Sequence, residues 1–191
     1  MGSNYMTDPV VFLIDTFFSL YILAVMLRFL LQWTQADFYN PVSQFLVKIT
    51  HPALKIMRRF IPAMGRIDTS SLVLALVLQI VANFAILAVK GVTIGIAALL
   101  VLSFTDLLKM VLDIFVYAIF AGAILSWFAA GSYSGASSLL YSLTDPMLTV
   151  CRRFTPDLGN MDLSPLVALV LLQLAKMMLL PPLHELAALL S

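Results

Sequence analysis

The sequence predicts an all-α fold: a polytopic membrane protein with four transmembrane helices in two parallel repeats, each hairpin carrying interfacial amphipathic helices. Three observations predict it. The 191-residue chain is 62% hydrophobic and only 11% charged, with a mean hydropathy of +1.02. Soluble domains carry about 25% charged residues, so lipid must cover part of this apolar surface. Apolar runs of spanning length recur along the chain. Finally, the phrase "THPALKIMRRFIPAMGRIDTSSL" at Thr50–Leu72 returns as "TDPMLTVCRRFTPDLGNMDLSPL" at Thr144–Leu166, each time before a long apolar run.

The first run predicts a span over about 10–33. At about 1.5 Å per residue it crosses a hydrocarbon core of roughly 30 Å. Asp15 near its start and Arg28 near its end can both snorkel toward an interface, and Trp33 sits where an aromatic belt belongs. The preceding residues "MGSNYMTDPV" show no basic n-region and no A-x-A site, so this run is expected to be retained as a span.

The second run extends from Leu72 almost to Phe104, about 50 Å as one helix and too long for one crossing. Lys90 and Gly91 offer a break, which predicts a span over about 70–89. The segment "GVTIGIAALLVLSF" after it is then expected on the membrane surface or partly re-entrant, with a fifth span as an alternative. The third span is expected over about 107–130 and the fourth over about 164–180, where Pro181 and Pro182 break it. The tail "LHELAALLS" then reads as a short surface helix.

Without gaps, Trp33–Gln79 and Trp127–Gln173 share about 19 of 47 residues, among them Pro52 with Pro146 and the Arg-Arg-Phe triplets at 58–60 and 152–154. The chain therefore reads as two copies of one unit, 1–104 and 105–191, each a span, a connection and a span. Two spans per unit leave both copies in the same orientation.

The connections predict surface helices over 41–61 and 136–155. Val42, Phe45, Leu46 and Ile49 recur at helical spacing, as do Ala53, Ile56, Met57 and Phe60. Repeat two has Ala136, Leu139, Leu140 and Leu143, then Met147, Val150, Cys151 and Phe154. Asn40 before Pro41 is a helix start. Pro52 and Pro146 are expected to open a second short helix, Pro62 and Pro156 to end it, and Gly65 and Gly159 to turn the chain. Asp68 and Asp162 are placed to cap the following spans.

Lys55, Arg58, Arg59, Arg152 and Arg153 are the candidate lipid- or partner-binding residues, for anionic headgroups or an acidic protein face. The alternative is that they only set topology. The first connection holds Lys48, Lys55, Arg58, Arg59 and Arg66 and the third holds Arg152 and Arg153, against Lys90 and Lys109 in the middle. Positive-inside bias places both arginine loops in the cytoplasm and both termini outside.

Polar residues within spans are the second candidate set: Asp15, Arg28, Gln79, Asn83, Asp113, Gln173 and Lys176. Counted from the expected span ends, Asp15, Asp113 and Lys176 lie about 8–10 Å below the outer surface. Lys176 can pair with Asp15 or Asp113, Asp113 can pair with Lys109 at i−4, or each can snorkel alone. The repeat-equivalent Gln79 and Gln173, with Asn83, are either interhelical hydrogen-bonding groups or the lining of a polar path.

Nothing in the sequence suggests an enzyme or a cofactor. His51 and His184 are far apart without cysteine companions, and there is no phosphate-binding glycine loop and no nucleophile with a base at readable spacing. Cys151, the single cysteine, reads as a buried apolar residue. The basic residues lack interleaved aromatics, so nucleic acid is not an expected partner.

The stretch "FYNPVSQFLVK", the element "RRFIPAMGRID" and its second copy "RRFTPDLGNMDLSP" resemble the YggT family of bacterial membrane proteins, related to the YlmG proteins of Gram-positive bacteria, cyanobacteria and plastids. The resemblance covers nearly the whole chain as two family domains. It departs at Ser134-Gly135, where the first copy has Asn40-Pro41, which weakens the second surface helix's start. The resemblance implies a multi-pass inner-membrane protein and roles in ion uptake or osmotic-stress tolerance, membrane-complex assembly, or division and nucleoid distribution. It brings no catalytic residues. The favoured expectation is a non-enzymatic scaffold or assembly factor that meets another membrane protein or itself. The alternative is an ion-transport accessory protein.

Overall fold

The computed structural model describes residues 7–61, 68–128, 135–155 and 162–191, apart from the side chains of Trp127, Phe128 and Ala136. They form six helices: α1 Thr7–Trp33, α2 Pro41–Phe60, α3 Thr69–Lys90, α4 Ile96–Phe128, α5 Gly135–Arg152 and α6 Ser164–Leu189. Among the described residues there is no strand. The turn roles expected of Pro62, Gly65, Pro156 and Gly159 lie outside the described residues, as does Arg66.

Four helices are long and apolar enough to cross a membrane: Thr7–Trp33, Thr69–Lys90, Ile96–Ser126 and Ser164–Leu189. The two units pack alike. α1 lies on α3 with α2 touching both, and α4 lies on α6 with α5 touching both. Ile22, Val25, Met26, Leu54, Leu74, Ile119 and Leu172 join all these layers into one core.

α1 begins three residues before the expected span, because Asp8 and Pro9 suit the first turn of a helix. α2 starts as read: the Asn40 side chain accepts from the Val42 N–H at 3.0 Å, with Pro41 behind it. The same amide donates to the Gly135 carbonyl at 2.6 Å and so ties the start of α2 to the start of α5. A Cβ at Gly135 would meet Asn40 Nδ2 at 2.8 Å. The missing proline in the second copy is therefore a clearance for this bond.

Pro52 and Pro146 do not divide the connections. Each lies inside one continuous helix. An internal proline costs about 3 kcal/mol, but both flanks of α2 bury on the same body, through Leu46 and Thr50 before Pro52 and Leu54 just after it. Packing on both sides holds the helix through the break.

α3 ends at Gly91, whose φ of 68° is left-handed, with N–H bonds from Gly91 to Ala88 and from Val92 to Leu87. The break at Lys90-Gly91 holds, but the following surface segment does not form. After residues 92–95 the chain enters α4, 33 residues without interruption, so the unit boundary at 104/105 falls inside a helix. No proline or glycine interrupts Ile96–Ala121. The hydroxyls there are satisfied within the helix, Ser103 by the Leu99 carbonyl at 2.8 Å and Thr105 by that of Val101 at 2.7 Å.

α6 likewise runs through Pro181 and Pro182 to Leu189, so the tail is its last turns and not a separate surface helix. This end is braced: Ala187 is buried, and a Cβ on Gly95 would come within 2.9 Å of the Leu190 carbonyl oxygen.

Candidate functional site

Two groups of polar residues stand out, one at the arginine-bearing ends of α2 and α5 and one among the long helices. At the first, Arg58 donates to Asp68 Oδ2 at 2.5 Å, and the Ser71 hydroxyl donates to the same oxygen at 2.9 Å. Asp68 stands at the start of α3 but makes no side-chain cap there. It is the buried acceptor that fastens the end of α2 to α3. Burial by itself would raise its pKa, but hydrogen bonds from Arg58 and Ser71 and the Arg58 charge outweigh it, and the carboxyl is held below the usual range.

The second unit repeats the device more openly. Arg152 Nε meets Asp162 at 3.2 Å and its Nη1 meets Asp145 at 3.5 Å, with about half of each side chain exposed. Asp162 stands one residue before the N-cap Leu163; it accepts from the Ser164 N–H at 2.9 Å and is not the cap expected of it. Hydrogen bonding from Ser164 and then from Arg152 lowers its pKa, with burial opposing. Lys55, Arg59 and Arg153 are exposed and have no ion pair among the described residues. Of the five candidates, two are paired with carboxylates of the fold and three are unpaired among the described residues.

The faces of α2 explain this arrangement. Ser43, Leu46, Thr50 and Leu54 point into the body, while Phe45, Ile56 and Phe60 are exposed beside the free cations. In α5, Leu139, Leu143 and Leu148 are buried and Val150 is exposed, as is Phe154 in the turn that follows.

Arg28 does not snorkel. It is buried at 7% exposure, and its Nη1 donates to Thr50 Oγ1 at 2.8 Å and the Val47 carbonyl at 3.3 Å. The Thr50 hydroxyl in turn donates a hydrogen bond to the Leu46 carbonyl at 2.6 Å. Nε of Arg28 has no partner among the described residues. Arg28 thus pins α1 to α2 beside Pro52.

Among the long helices, Lys176 and Asp113 form a direct ion pair between α6 and α4. Because α4 starts earlier and α6 ends later than expected, both residues lie in the middle of their helices. Asp15 takes no part, and accepts a hydrogen bond from Ser19 at 3.4 Å. Gln79 donates to Asn83 at 3.4 Å, and Asn83 donates to Ser103 at 3.2 Å and Asp106 at 2.9 Å. These bonds join α3 to α4. Gln173 is exposed and does not line the cavity these residues share.

Asp15, Ser19, Gln79, Asn83, Asp106, Lys109, Asp113 and Tyr117 line one cavity of about 460 Å³ between α1, α3 and α4. Among the described residues no three His, Cys, Asp or Glu side chains converge as a metal ion requires. Asp106 and Tyr117 escaped selection from sequence, and Lys109 entered there as an alternative partner of Asp113. Asp106 falls one residue before the expected third span, so its helical neighbourhood with Asn83 was hidden by that boundary. The signal for it is the unbroken apolar run from Ile96.

The family model described as CCB3/YggT matches residues 7–89 and again 101–183. An uncharacterized protein of Pseudomonas aeruginosa is 41% identical over 170 residues, covering 88% of this chain and 86% of that one. The uncharacterized protein YggT of Escherichia coli K12 is 40% identical over 174 residues, covering 89% and 88%. An uncharacterized protein of Vibrio alginolyticus is 40% identical over 171 residues, covering 88% and 91%. No solved structure matches the chain.

Proposed function

The chain belongs to the CCB3/YggT family, and from that premise we propose that it is a non-enzymatic scaffold or assembly factor for a membrane complex in the bacterial inner membrane. Both arginine-bearing connections face the cytoplasm in this reading, and both termini lie outside. One observation carries it: the ends of α2 and α5 expose large apolar side chains next to unpaired cations, Ile56 and Phe60 beside Lys55 and Arg59, and Val150 at the end of α5 with Phe154 in the turn after it beside Arg153. Such a face suits the headgroup boundary of an anionic leaflet, where each basic residue contributes about 1 kcal/mol. Four helices then remain free to dock another membrane protein.

The test is affinity purification in mild detergent at native expression level, followed by mass spectrometry. The comparison carries K55Q, R59Q and R153Q, which leaves the Arg58 and Arg152 pairs in place. A stoichiometric membrane protein recovered with the native chain and weakened in the variant supports the scaffold. Recovery of the chain without any other membrane protein overturns it.

A second reading, an ion-transport accessory protein in osmotic-stress tolerance, is favoured by the cavity that Asp15, Asp106 and Asp113 share with Gln79 and Asn83. Cation flux into liposomes, lost with D106N, supports it. The absence of flux from a folded, reconstituted protein removes it.

A further inference from the structure

The two units repeat at an offset of 94 residues, the distance between the matched segments 7–89 and 101–183. At that offset α1 corresponds to the part of α4 from Val101 onward, α2 to α5 and α3 to α6. Two like units can pack as a closed pair or as successive steps. A closed pair would use the same contact twice, with α6 meeting α1 as α3 meets α4. Among the described residues α3 packs on α4, but α6 touches only α4 and α5 among the helices. The second unit is a next step, and the place beside α6 that corresponds to α4's place beside α3 is vacant.

The side chains register this vacancy. Gln79 is 9% exposed and bonded within the α3–α4 junction through Asn83. Gln173, at the same register in the second unit, is exposed and has no hydrogen bond among the described residues. It lies nine residues into α6, about 14 Å along the helix, where lipid offers an amide no partner. Ordinary lipid-facing surface needs no explanation when it is apolar, but an amide at this depth does.

We infer that α1 of a second copy of this chain occupies the vacant place beside α6, so that copies associate head to tail. α1 is the element that corresponds to α4. It presents Phe12, Leu13, Phe17 and Leu20 unpacked. The contact that joins α3 to α4, Asn83 to Asp106, translates by the repeat offset into Met177 and Phe12. Both are 66% exposed, and a methionine sulfur against an aromatic ring is a favourable pair. Gln173 carries the exposed amide of the new junction, at the register where Gln79 stands in the parent contact. The contact is heterologous, so it builds a ring or an open row rather than a face-to-face dimer. This inference rests on the repeat and its vacancy and is independent of the scaffold reading.

The test is cysteine cross-linking in membranes, in a Cys151→Ala background. One tagged copy carries Phe12→Cys and a differently tagged copy carries Met177→Cys. Asn83→Cys with Asp106→Cys in one chain serves as the within-chain control for the parent contact. The expected result is a disulfide-linked dimer carrying both tags, with at least tenfold less product from Phe12→Cys or Met177→Cys paired with itself. No mixed dimer while the within-chain control closes overturns the inference. Equal yields from the self-paired samples also overturn it, because they indicate a face-to-face contact or random collision. The unsubstituted chain must also exceed monomer mass in native mass spectrometry from mild detergent; a monomer throughout overturns the inference without touching the scaffold reading.

Discussion

Replacing Lys176 with leucine would strand a carboxylate in the middle of a helix bundle. Lys176 and Asp113 are each the other's ion-pair partner, with side chains 19% and 27% exposed in a region that lipid surrounds. Breaking a buried pair by removing one member costs about 3–5 kcal/mol, because the survivor keeps its desolvation penalty. Here a neighbour softens the loss: Lys109 lies one helical turn before Asp113 and lines the same cavity wall, so it can turn toward the orphaned carboxylate. The expectation for K176L is therefore about 2–3 kcal/mol. D113L leaves a lysine whose stem can carry its charge toward water, and should cost about 1–2 kcal/mol. D113L/K176L removes both charges and should fall within about 1 kcal/mol of the native chain. The assay is reversible unfolding in mixed micelles, run as a double-mutant cycle. A K176L variant within about 0.5 kcal/mol of native, or a double variant no better than K176L, would refute the reasoning.

Other perturbations separate the remaining roles. Asn40→Ala should lose about 2 kcal/mol, about half from the helix cap and half from the bond to Gly135; Asn40→Ser keeps the cap, cannot reach Gly135, and should lose about 1 kcal/mol, both read by thermal melting in detergent. Arg58→Gln should destabilise by about 2 kcal/mol because buried Asp68 loses its cation, whereas Arg59→Gln should leave the melting temperature alone and weaken binding to anionic vesicles by about 1 kcal/mol. Asp68 has a lowered pKa when folded. The stability it contributes is thus fully present above its unfolded value of about 3.9 and is lost as pH falls through the lower folded value. Melting curves below about pH 4 should fall less steeply for Asp68→Asn than for the native chain, and parallel curves would contradict the assignment.

Much of the architecture was written locally. The long apolar runs, the Asn40-Pro41 start and the Lys90-Gly91 stop each depend on residues within one or two turns, and each forms where the sequence places it. The failures share a different physics. Pro52, Pro146, Pro181 and Pro182 are local breakers overruled by packing on both sides of the break. Arg28 is buried because Thr50 and the Val47 carbonyl await it, partners brought near only by the turn between α1 and α2. Gln79 and Gln173 look alike in sequence and differ in surroundings, because a repeat copies residues and not neighbours. Asp106 was lost to a helix boundary misplaced by eleven residues, from Ile96 to Leu107.

The bond from Asn40 to Gly135 makes the two halves of the chain non-interchangeable. One half supplies an amide, and the other supplies a bare backbone with room to receive it. Two identical halves would place proline opposite asparagine at both places, where its Cβ crowds the Asn40 amide that makes this joint. Proline in one half and glycine in the other therefore give the tandem a direction: the amide-bearing half comes first. Engineering the halves back to identity would crowd the joint even though every span survived.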